Sequence, residues 1–416
     1  MKNPSKETRR HVLQLPLEAD KPSEAIPLTR LTAAAPAAAP GRRAFPAGLM
    51  RPLLRSEFAA HYYLDREGAG ITGIADLRAH LRVALKLELT TIPLYLCALY
   101  SMEKGSNEIP RRVVRSVMLE EMLHMILVAN VLNAVGGEPR LRGKLDGRFS
   151  GMDAVPCYPA GLPASRSEGE FRVPLQKFSD GALDAFMKIE QPATPQAPPE
   201  GIRYDTIGQF YAAIRIGLRE YGEFDQNDRR ARQIGPEQYY GAGGNLIRIA
   251  DLATADQALD EIVGQGEGVE HTLTSGDASI FDVGQEYAHY FRFNELRREQ
   301  LYAPGDTPES SPSGEKIAID WSTIYPMKTN PPQIGEYPQG SEMRAKALDF
   351  NRVYTRLLLE LEASFLGQPG RMMNAVGLMY ELRYKAVDLM RIPLGNDESG
   401  KQITAGPSFE FIPDGL

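Results

Sequence analysis

Two Glu-x-x-His units, far apart in the chain, constrain the fold of this sequence more than any other feature. Glu121 and His124 form the first unit, and Glu286 and His289 form the second. A spacing of three residues places both side chains on one helix face, one turn apart, where a carboxylate and an imidazole can reach the same metal ion. The chain has only 6 His residues, so a matched pair of units is a stronger indication of a metal centre than one unit alone.

Helical periodicity around the first unit predicts a pair of antiparallel helices. The first helix is expected to begin with Asp76 as its N-cap and to end near residue 102, with Pro93 kinking its axis. The second helix is expected to start at Pro110 and to stop at Gly136 and Gly137. A short loop separates them, which predicts a hairpin.

The rest of the chain predicts a second hairpin after a long crossover. Residues 138–203 are rich in Pro, Gly and short apolar runs, which is typical of a crossover without regular structure. A capping box, Thr254 to Gln257, predicts the start of the third bundle helix. The predicted helices of this part are about 205–222, 254–270, 281–301, 342–366 and 371–390. The fold class is therefore mainly α, a four-helix bundle with additional C-terminal helices and long loops.

A dinuclear centre in such a bundle takes two Glu-x-x-His units and one further Glu from each of the other two helices. Glu88 lies in the apolar stretch LKLELTTIPLYL, where a carboxylate is costly unless it is paired or bound to metal. Glu261, Glu267 and Glu270 compete in the third helix: Glu261 faces away from the apolar stripe, Glu270 lies on it and Glu267 flanks it. Three neighbouring glycines, together with the depth of Glu267 in the hairpin, favour Glu267, with Glu270 second.

Carboxylate oxygens with one imidazole per ion are typical of sites for iron or manganese. The sequence therefore predicts two iron ions, or one iron and one manganese, with dioxygen as a co-substrate. Glu88, Glu121 and Glu286 are the predicted catalytic carboxylates, which would change between terminal and bridging binding. Glu120 lies one turn before His124 and is expected to orient that imidazole.

Composition argues against two other classes of protein. The chain has 47 Lys and Arg against 54 Asp and Glu, a net charge of −7, and its basic residues are scattered, so nucleic-acid binding is not expected. We expect no membrane span, because no apolar run is long enough. Cys97 and Cys157 form no disulfide framework and the N-terminus lacks the apolar centre of a secretory signal, so a cytoplasmic location is expected.

Residues 1–55 include the Ala/Pro-rich stretch TAAAPAAAPG and are predicted to form a flexible arm. Plain disorder is one interpretation of the arm, and wrapping around a second subunit in a homo-oligomer is the other. Residues 70–301 are the predicted bundle, with 138–253 as its crossover insertion. Residues 302–416 are predicted to form a loop and helical extension that packs on the bundle.

Four segments of the sequence resemble one known family. The segments LKLELTTIPLYLCALYS, VMLEEMLHMILVANVLNAVGG, EIVGQGEG and EYAHYFRFNEL are similar to the ferritin-like domain of the iminophenylpyruvate dimer synthase family, which includes large enzymes of violacein and rebeccamycin biosynthesis. The resemblance implies that the metal ligands are Glu88, Glu121, His124, Glu286 and His289, and it supports Glu267 through the QGEG segment. This chain is much shorter than the violacein-pathway enzyme, so the resemblance implies the metal centre and oxidative chemistry but not the substrate.

Three functional hypotheses follow. The leading one is a dinuclear iron oxidase or oxygenase that acts on a small, amino-acid-derived substrate in specialised metabolism, with an external electron donor. The alternative is a ferroxidase or peroxide-handling protein without an organic substrate. A third is a non-catalytic interaction module in which the Glu and His residues form buried ion pairs only.

Overall fold

The computed structural model of the protein describes residues 71–141, 155–156, 158, 160–162, 171–190, 207–224, 230–239, 243–267, 273–278 and 285–412. Its helices are α1 (Ile74–Ser101), α2 (Glu108–Ala134), α3 (Asp180–Ile189), α4 (Ile207–Tyr221), α5 (Leu252–Glu267), α6 (His289–Arg298), α7 (Glu342–Phe365) and α8 (Met372–Met390). Three two-stranded antiparallel sheets join them: β1 (Ala160–Leu162) with β2 (Phe171–Val173), β3 (Thr274–Ala278) with β4 (Gln285–Tyr287), and β5 (Pro393–Asn396) with β6 (Gln402–Thr404). The mainly α class is confirmed.

The hairpin of α1 and α2 forms the centre of the fold. Every residue of α1 from Leu87 to Ser101 is buried, because α4 to α8 pack against the hairpin and Phe186 of α3 packs against Tyr95. Both helices are long and apolar enough to cross a membrane by length and composition, but 94% of each apolar window is buried inside the protein. Pro93 lies within α1, and the hydroxyls of Thr90 and Thr91 donate to the carbonyls of Lys86 and Glu88 at 2.6 and 2.9 Å.

Two predicted N-caps, Asp76 and Thr254, each lie three residues too far along the chain. The first helix begins at Ile74 after Gly73, so Asp76 is not the N-cap but lies in the first turn, where its carboxylate accepts from the backbone N–H of Thr72 at 3.0 Å. The third predicted helix begins at Leu252 rather than at 254. Asp251 caps it by accepting from the N–H of Thr254 at 2.9 Å, so Thr254 lies inside the first turn rather than before it.

Helix α3 lies in the segment that the sequence predicts to be an irregular crossover. Ser179 caps it by accepting from the N–H of Ala182 at 3.1 Å, and its buried residues follow helical spacing. The element that packs most extensively against α3 is α6. Helix α5 lies beside them and contacts α2, α4 and α6.

The helix predicted for 281–301 is shorter in the structure. Its first residue is His289, and the residues Gln285–Tyr287 form β4 instead, which pairs with β3. Thr274 lies opposite Tyr287 in this ladder, with an irregularity along it. The second Glu-x-x-His unit therefore begins in a strand and ends at the first residue of a helix, which the local pattern did not indicate.

The C-terminal part adds a second helical hairpin to the centre. Helices α7 and α8 pack extensively on one another, α8 contacts α1, and α7 contacts α2. Their bounds agree with the predicted 342–366 and 371–390 to within one residue. The predicted arm, residues 1–55, lies outside the described residues.

Candidate metal centre

Three carboxylates and two imidazoles come together between α1, α2, α3 and α6. Each of the five residues is at least 94% buried: Glu88, Glu121, His124, Glu190 and His289. Ligand-type atoms of Glu88, Glu121 and His124 lie within 4.8 Å of one another, and so do those of Glu121, Glu190 and His289. We name the first group position A and the second position B. They share Glu121, so they form two adjacent places for a metal ion.

The two imidazoles face the shared carboxylate from neighbouring elements. His124 Nδ1 lies 3.6 Å from Glu88 Oε2 and 3.7 Å from Glu121 Oε1. His289 Nδ1 lies 3.1 Å from Glu121 Oε1 and 3.2 Å from Glu190 Oε2. The rings are stacked with their centroids 5.6 Å apart. Both histidines therefore direct Nδ1 to the centre.

A neutral amide holds the outer nitrogen of His124. Its Nε2 lies 2.8 Å from Gln265 Oε1. The amide nitrogen of Gln265 donates to the carbonyl of Gly243 at 2.9 Å and to Glu261 Oε1 at 3.1 Å, so the amide oxygen is the atom that faces His124. The imidazole consequently carries its proton on Nε2 and leaves the Nδ1 lone pair for an ion.

A charged carboxylate holds the outer nitrogen of His289. Its Nε2 lies 2.8 Å from Glu120 Oε2, and Arg292 Nη1 donates to Glu120 Oε1 at 2.9 Å. The same Nη1 also donates to Ser116 Oγ at 2.9 Å. The expectation that Glu120 orients His124 is therefore wrong. Although Glu120 lies one turn before His124, its carboxylate lies between His289 and Arg292 of α6, and Gln265 holds the outer nitrogen of His124 instead.

A hydroxyl group holds one oxygen of each carboxylate. Thr91 Oγ1 donates to Glu121 Oε2 at 2.7 Å. The hydroxyl of Tyr211 donates to Glu88 Oε1, and that of Tyr95 donates to Glu190 Oε1. In each carboxylate the other oxygen faces a histidine, so the hydroxyls fix which oxygen points to the centre.

Burial and crowding shift the pKa values of these groups in a consistent way. Burial raises the pKa of Glu88 and of Glu121 to about 7, and it lowers the pKa of His124. Burial opposes the charged form of His289, but Glu190 and the hydrogen bonds to three carboxylates raise its pKa well above the usual range. Burial would likewise raise the pKa of Glu120, but Arg292 and His289 together lower it to about 2. Without a cation, carboxylates this close must share protons.

The donor set fits iron or manganese. Two imidazole Nδ1 atoms and three carboxylates converge, and the buried guanidinium of Arg292 pairs with Glu120 at the outer edge of this cluster. Carboxylate oxygen with a single imidazole per ion suits these metals, and the residues present therefore fit a dinuclear centre.

The structure brings together four predicted ligands, Glu88, Glu121, His124 and His289, and adds one that sequence reasoning missed, Glu190. Glu190 follows α3 directly, inside the region interpreted as crossover. The available signal was Ser179 as an N-cap followed by Ala182, Leu183, Phe186 and Ile189 at helical spacing, with a carboxylate at the helix end.

The other candidate carboxylates have different positions. Glu267 is the last residue of α5 and Glu286 lies in β4; the structure describes their backbones alone, so both assignments stay predictions. Glu270 lies outside the described residues. Glu261 accepts from Gln265 and from the N–H of Asn245 at 2.7 Å, so it supports the amide that holds His124.

An apolar pocket of about 40 Å³ adjoins the centre. Its walls include Leu87, Leu94, Ile189 and Ile262, with Gly266 at one side. A Cβ added at Gly266 would have Glu190 Oε2 at 3.9 Å as its nearest neighbour, so the glycine leaves open space beside position B.

The chain is similar to two known enzymes. The chain is 26% identical over 417 residues to dichlorochromopyrrolate synthase from Lentzea aerocolonigenes, which covers 84% of this chain and 38% of that protein. It is 25% identical over 383 residues to 2-imino-3-(indol-3-yl)propanoate dimerase from Chromobacterium violaceum, covering 82% and 34%. The chain thus spans a little over a third of the length of these relatives, both of which are named as enzymes.

A solved structure shares the fold. A ferritin-like protein from Caulobacter vibrioides matches with a TM-score of 0.54 at 21% identity, covering 83% of this chain and all of that one. The Ferritin-like family model matches residues 81–298, which is more than half of the chain and contains all five residues of the centre. The resemblance recognised in the sequence is confirmed, and the chain belongs to the Ferritin-like family.

Proposed function

We propose that the protein is a dinuclear non-haem iron enzyme that uses dioxygen or peroxide to oxidise a small, amino-acid-derived substrate in specialised metabolism. The observation that carries the proposal is the convergence of three buried carboxylates and two imidazole Nδ1 atoms on a shared Glu121. The names of the two enzymatic relatives, a chromopyrrolate synthase and an imino-acid dimerase, support an amino-acid-derived substrate.

The protein's own residues have distinct tasks in this proposal. Glu88, Glu121 and His124 would hold one ion, and Glu121, Glu190 and His289 the other, with Glu286 and Glu267 as further predicted ligands. Iron bound there supplies the change of oxidation state that oxygen chemistry needs. The hydroxyls of Tyr211, Thr91 and Tyr95 orient the carboxylates, while the apolar walls of the adjacent pocket exclude water from the reacting atoms.

The proposal includes three further expectations. An external electron donor restores the reduced centre between turnovers. The protein works in the cytoplasm, where the buried free thiol of Cys97 stays reduced. The protein assembles as a homo-oligomer.

Metal content per chain tests the proposal most directly. Protein purified without chelators is expected to hold about two ions of iron, or of iron and manganese, per chain. Glu121→Ala, which removes the shared ligand, is expected to lose both ions, and His289→Ala is expected to lose the ion of position B. Glu360→Gln, which alters an ion pair with Arg371 on α7, keeps both. Metal-free protein that also takes up no ferrous iron under anaerobic conditions contradicts the proposal and leaves the cluster as buried ion pairs.

Oxygen consumption separates the enzyme from the ferroxidase alternative. The iron-loaded protein is supplied with 2-imino and 2-oxo acids derived from amino acids, and in parallel with ferrous iron alone. Substrate-dependent oxygen consumption that is lost in Glu121→Ala supports an oxidase or oxygenase. Sustained oxidation of ferrous iron with no response to any organic substrate favours iron handling instead.

A further inference from the structure

We infer that the two metal positions are chemically unequal, with position B binding its ion more tightly than position A because Glu120 and Arg292 support His289. The inference rests on the proposed dinuclear centre and goes beyond it. It assigns Glu120, Arg292 and Gln265 as positioning residues that act through the two histidines.

The described ligands of the two positions are matched. Each position has one imidazole Nδ1, one carboxylate of its own and the shared Glu121. Even the supporting hydroxyls correspond, since Tyr211 donates to Glu88 and Tyr95 donates to Glu190. Among the described residues, the clear difference is therefore in the group that accepts the hydrogen bond from the outer nitrogen of each imidazole.

That difference is one of charge. At position B the acceptor for the outer N–H of the imidazole is the carboxylate of Glu120, which Arg292 holds in place with two hydrogen bonds. At position A the acceptor is the neutral amide of Gln265, at the same distance of 2.8 Å. The two contacts have equal length but unequal acceptors.

A carboxylate acceptor makes an imidazole a stronger ligand than an amide acceptor does. A hydrogen bond from Nε2–H to a negative oxygen pushes electron density onto Nδ1, and such charge-assisted bonds are about twice as strong as neutral ones. Arg292 pairs with Glu120 on its far side, which keeps the carboxylate ionised and aimed at His289. Position B should therefore fill first, and position A should hold the ion that exchanges.

A paired substitution removes the charge while keeping the acceptor. Glu120→Gln combined with Arg292→Met leaves an amide oxygen for His289 and removes both members of the ion pair, so no buried charge is left alone. The matched control is Glu360→Gln combined with Arg371→Met, the same exchange at an ion pair of 2.7 Å far from the centre. Gln265→Leu tests position A separately by removing its acceptor.

Anaerobic titration of metal-free protein with Co²⁺, followed by its visible absorption, measures the two binding steps. We expect two separate steps in the wild type and in the control pair. Glu120→Gln with Arg292→Met should weaken the first step about ten- to a hundred-fold and spare the second. Gln265→Leu should weaken only the second. Glu190→Ala should abolish the first step and Glu88→Ala the second, which assigns each step to its position.

Helical content measured by circular dichroism verifies that each variant is folded. Two equal steps in the wild type, or equal weakening of both steps in the Glu120 and Arg292 variant, overturn the inference while leaving the dinuclear centre intact. A first step that is lost in Glu88→Ala rather than in Glu190→Ala also overturns it. Failure of the wild type to bind Co²⁺ at all overturns the proposed function and this inference with it.

Discussion

Protons and the proposed metal ions would compete for the same atoms at this centre. Glu88 and Glu121 have pKa values of about 7, and the pKa of His289 is raised well above its usual range, so the metal-free cluster holds protons at neutral pH. An ion can bind His289 Nδ1 or a carboxylate oxygen only after the proton on that atom has left. Metal binding is thus coupled to proton release.

The first prediction concerns the pH dependence of metal binding. Both carboxylates are protonated below their pKa of about 7, so the apparent affinity for Fe²⁺ or Co²⁺ should rise as pH increases through about 7 and fall below it. Calorimetric titrations in buffers of different ionisation enthalpy will count the protons released. An affinity that does not change between about pH 6 and pH 8 would contradict this reading of the carboxylates.

The second prediction concerns the tyrosine hydroxyls. Tyr211→Phe removes a hydrogen bond that lowers the pKa of Glu88, so the carboxyl should hold its proton to higher pH and the metal affinity should fall about ten-fold at neutral pH. Binding titrations measure the change. Tyr384→Phe is the matched control, because Tyr384 is 69% exposed, and it should bind metal as the wild type does.

Sequence patterns identified four of the five clustered residues. They missed the fifth, Glu190, because the signal for it is not local. His124 and His289 each follow a Glu by three residues, which is a repeated and therefore specific sequence signal. Glu190 is a single carboxylate at a helix end, and nothing local distinguishes it from an exposed Glu. Its role depends on the packing of α3 against α6, which is a tertiary contact.

Helices were predicted well where apolar residues recur at helical spacing for several turns. Helices α1, α2, α7 and α8 begin and end within about three residues of expectation because their apolar positions and stops are local. The strand β4 could not be predicted, because Gln285–Tyr287 carries no alternation and is extended through its pairing with β3. The predicted helix over 281–301 therefore includes three residues that form a strand in the structure.

The third prediction concerns the turn that supports Gln265. Gly244 has φ +116°, and a Cβ there would collide with the side chains of Glu261 and Gln265. Gly244→Ala should therefore lower the free energy of unfolding by more than about 1 kcal/mol and weaken the metal step assigned to His124. Denaturant unfolding and the Co²⁺ titration measure the two effects.

Gly105→Ala is the control for backbone strain. Gly105 also has a positive φ, +80°, but nothing lies within 4 Å of an added Cβ. The Gly105→Ala variant should have a lower free energy of unfolding than the wild type but the same metal affinity. Equal effects of the two substitutions on metal affinity would show that the turn at Gly244 does not support the centre.

The whole molecule should be more stable with metal than without it. The five clustered residues come from α1, α2, the end of α3 and the start of α6, so bound ions would tie four separate elements together. The fourth prediction is a rise in the melting temperature on adding Fe²⁺ or Mn²⁺ anaerobically, about 2.7 kcal/mol of stabilisation at a free metal concentration one hundred times Kd. Glu121→Ala should show no rise, and an equal rise in that variant would place the stabilising ions elsewhere.

At the scale of the molecule, the class of fold followed from the sequence but part of its arrangement did not. A mainly α bundle with two added C-terminal helices was expected and is present. The partner of α6 was expected to be the helix that became α5, because the two are neighbours in sequence. Instead α3 packs most extensively against α6 across more than ninety intervening residues, and such long-range pairing leaves no periodic trace in the chain.

The spread of the candidate ligands along the chain has a consequence for how the proposed centre would acquire metal during synthesis. Glu88, Glu121 and His124 all lie on the α1–α2 hairpin, which leaves the ribosome as one early unit, whereas His289 emerges much later. A nascent chain thus displays the ligands of position A before position B can exist. In the proposed function, an ion captured during synthesis would therefore sit at position A, the position from which we expect it to exchange.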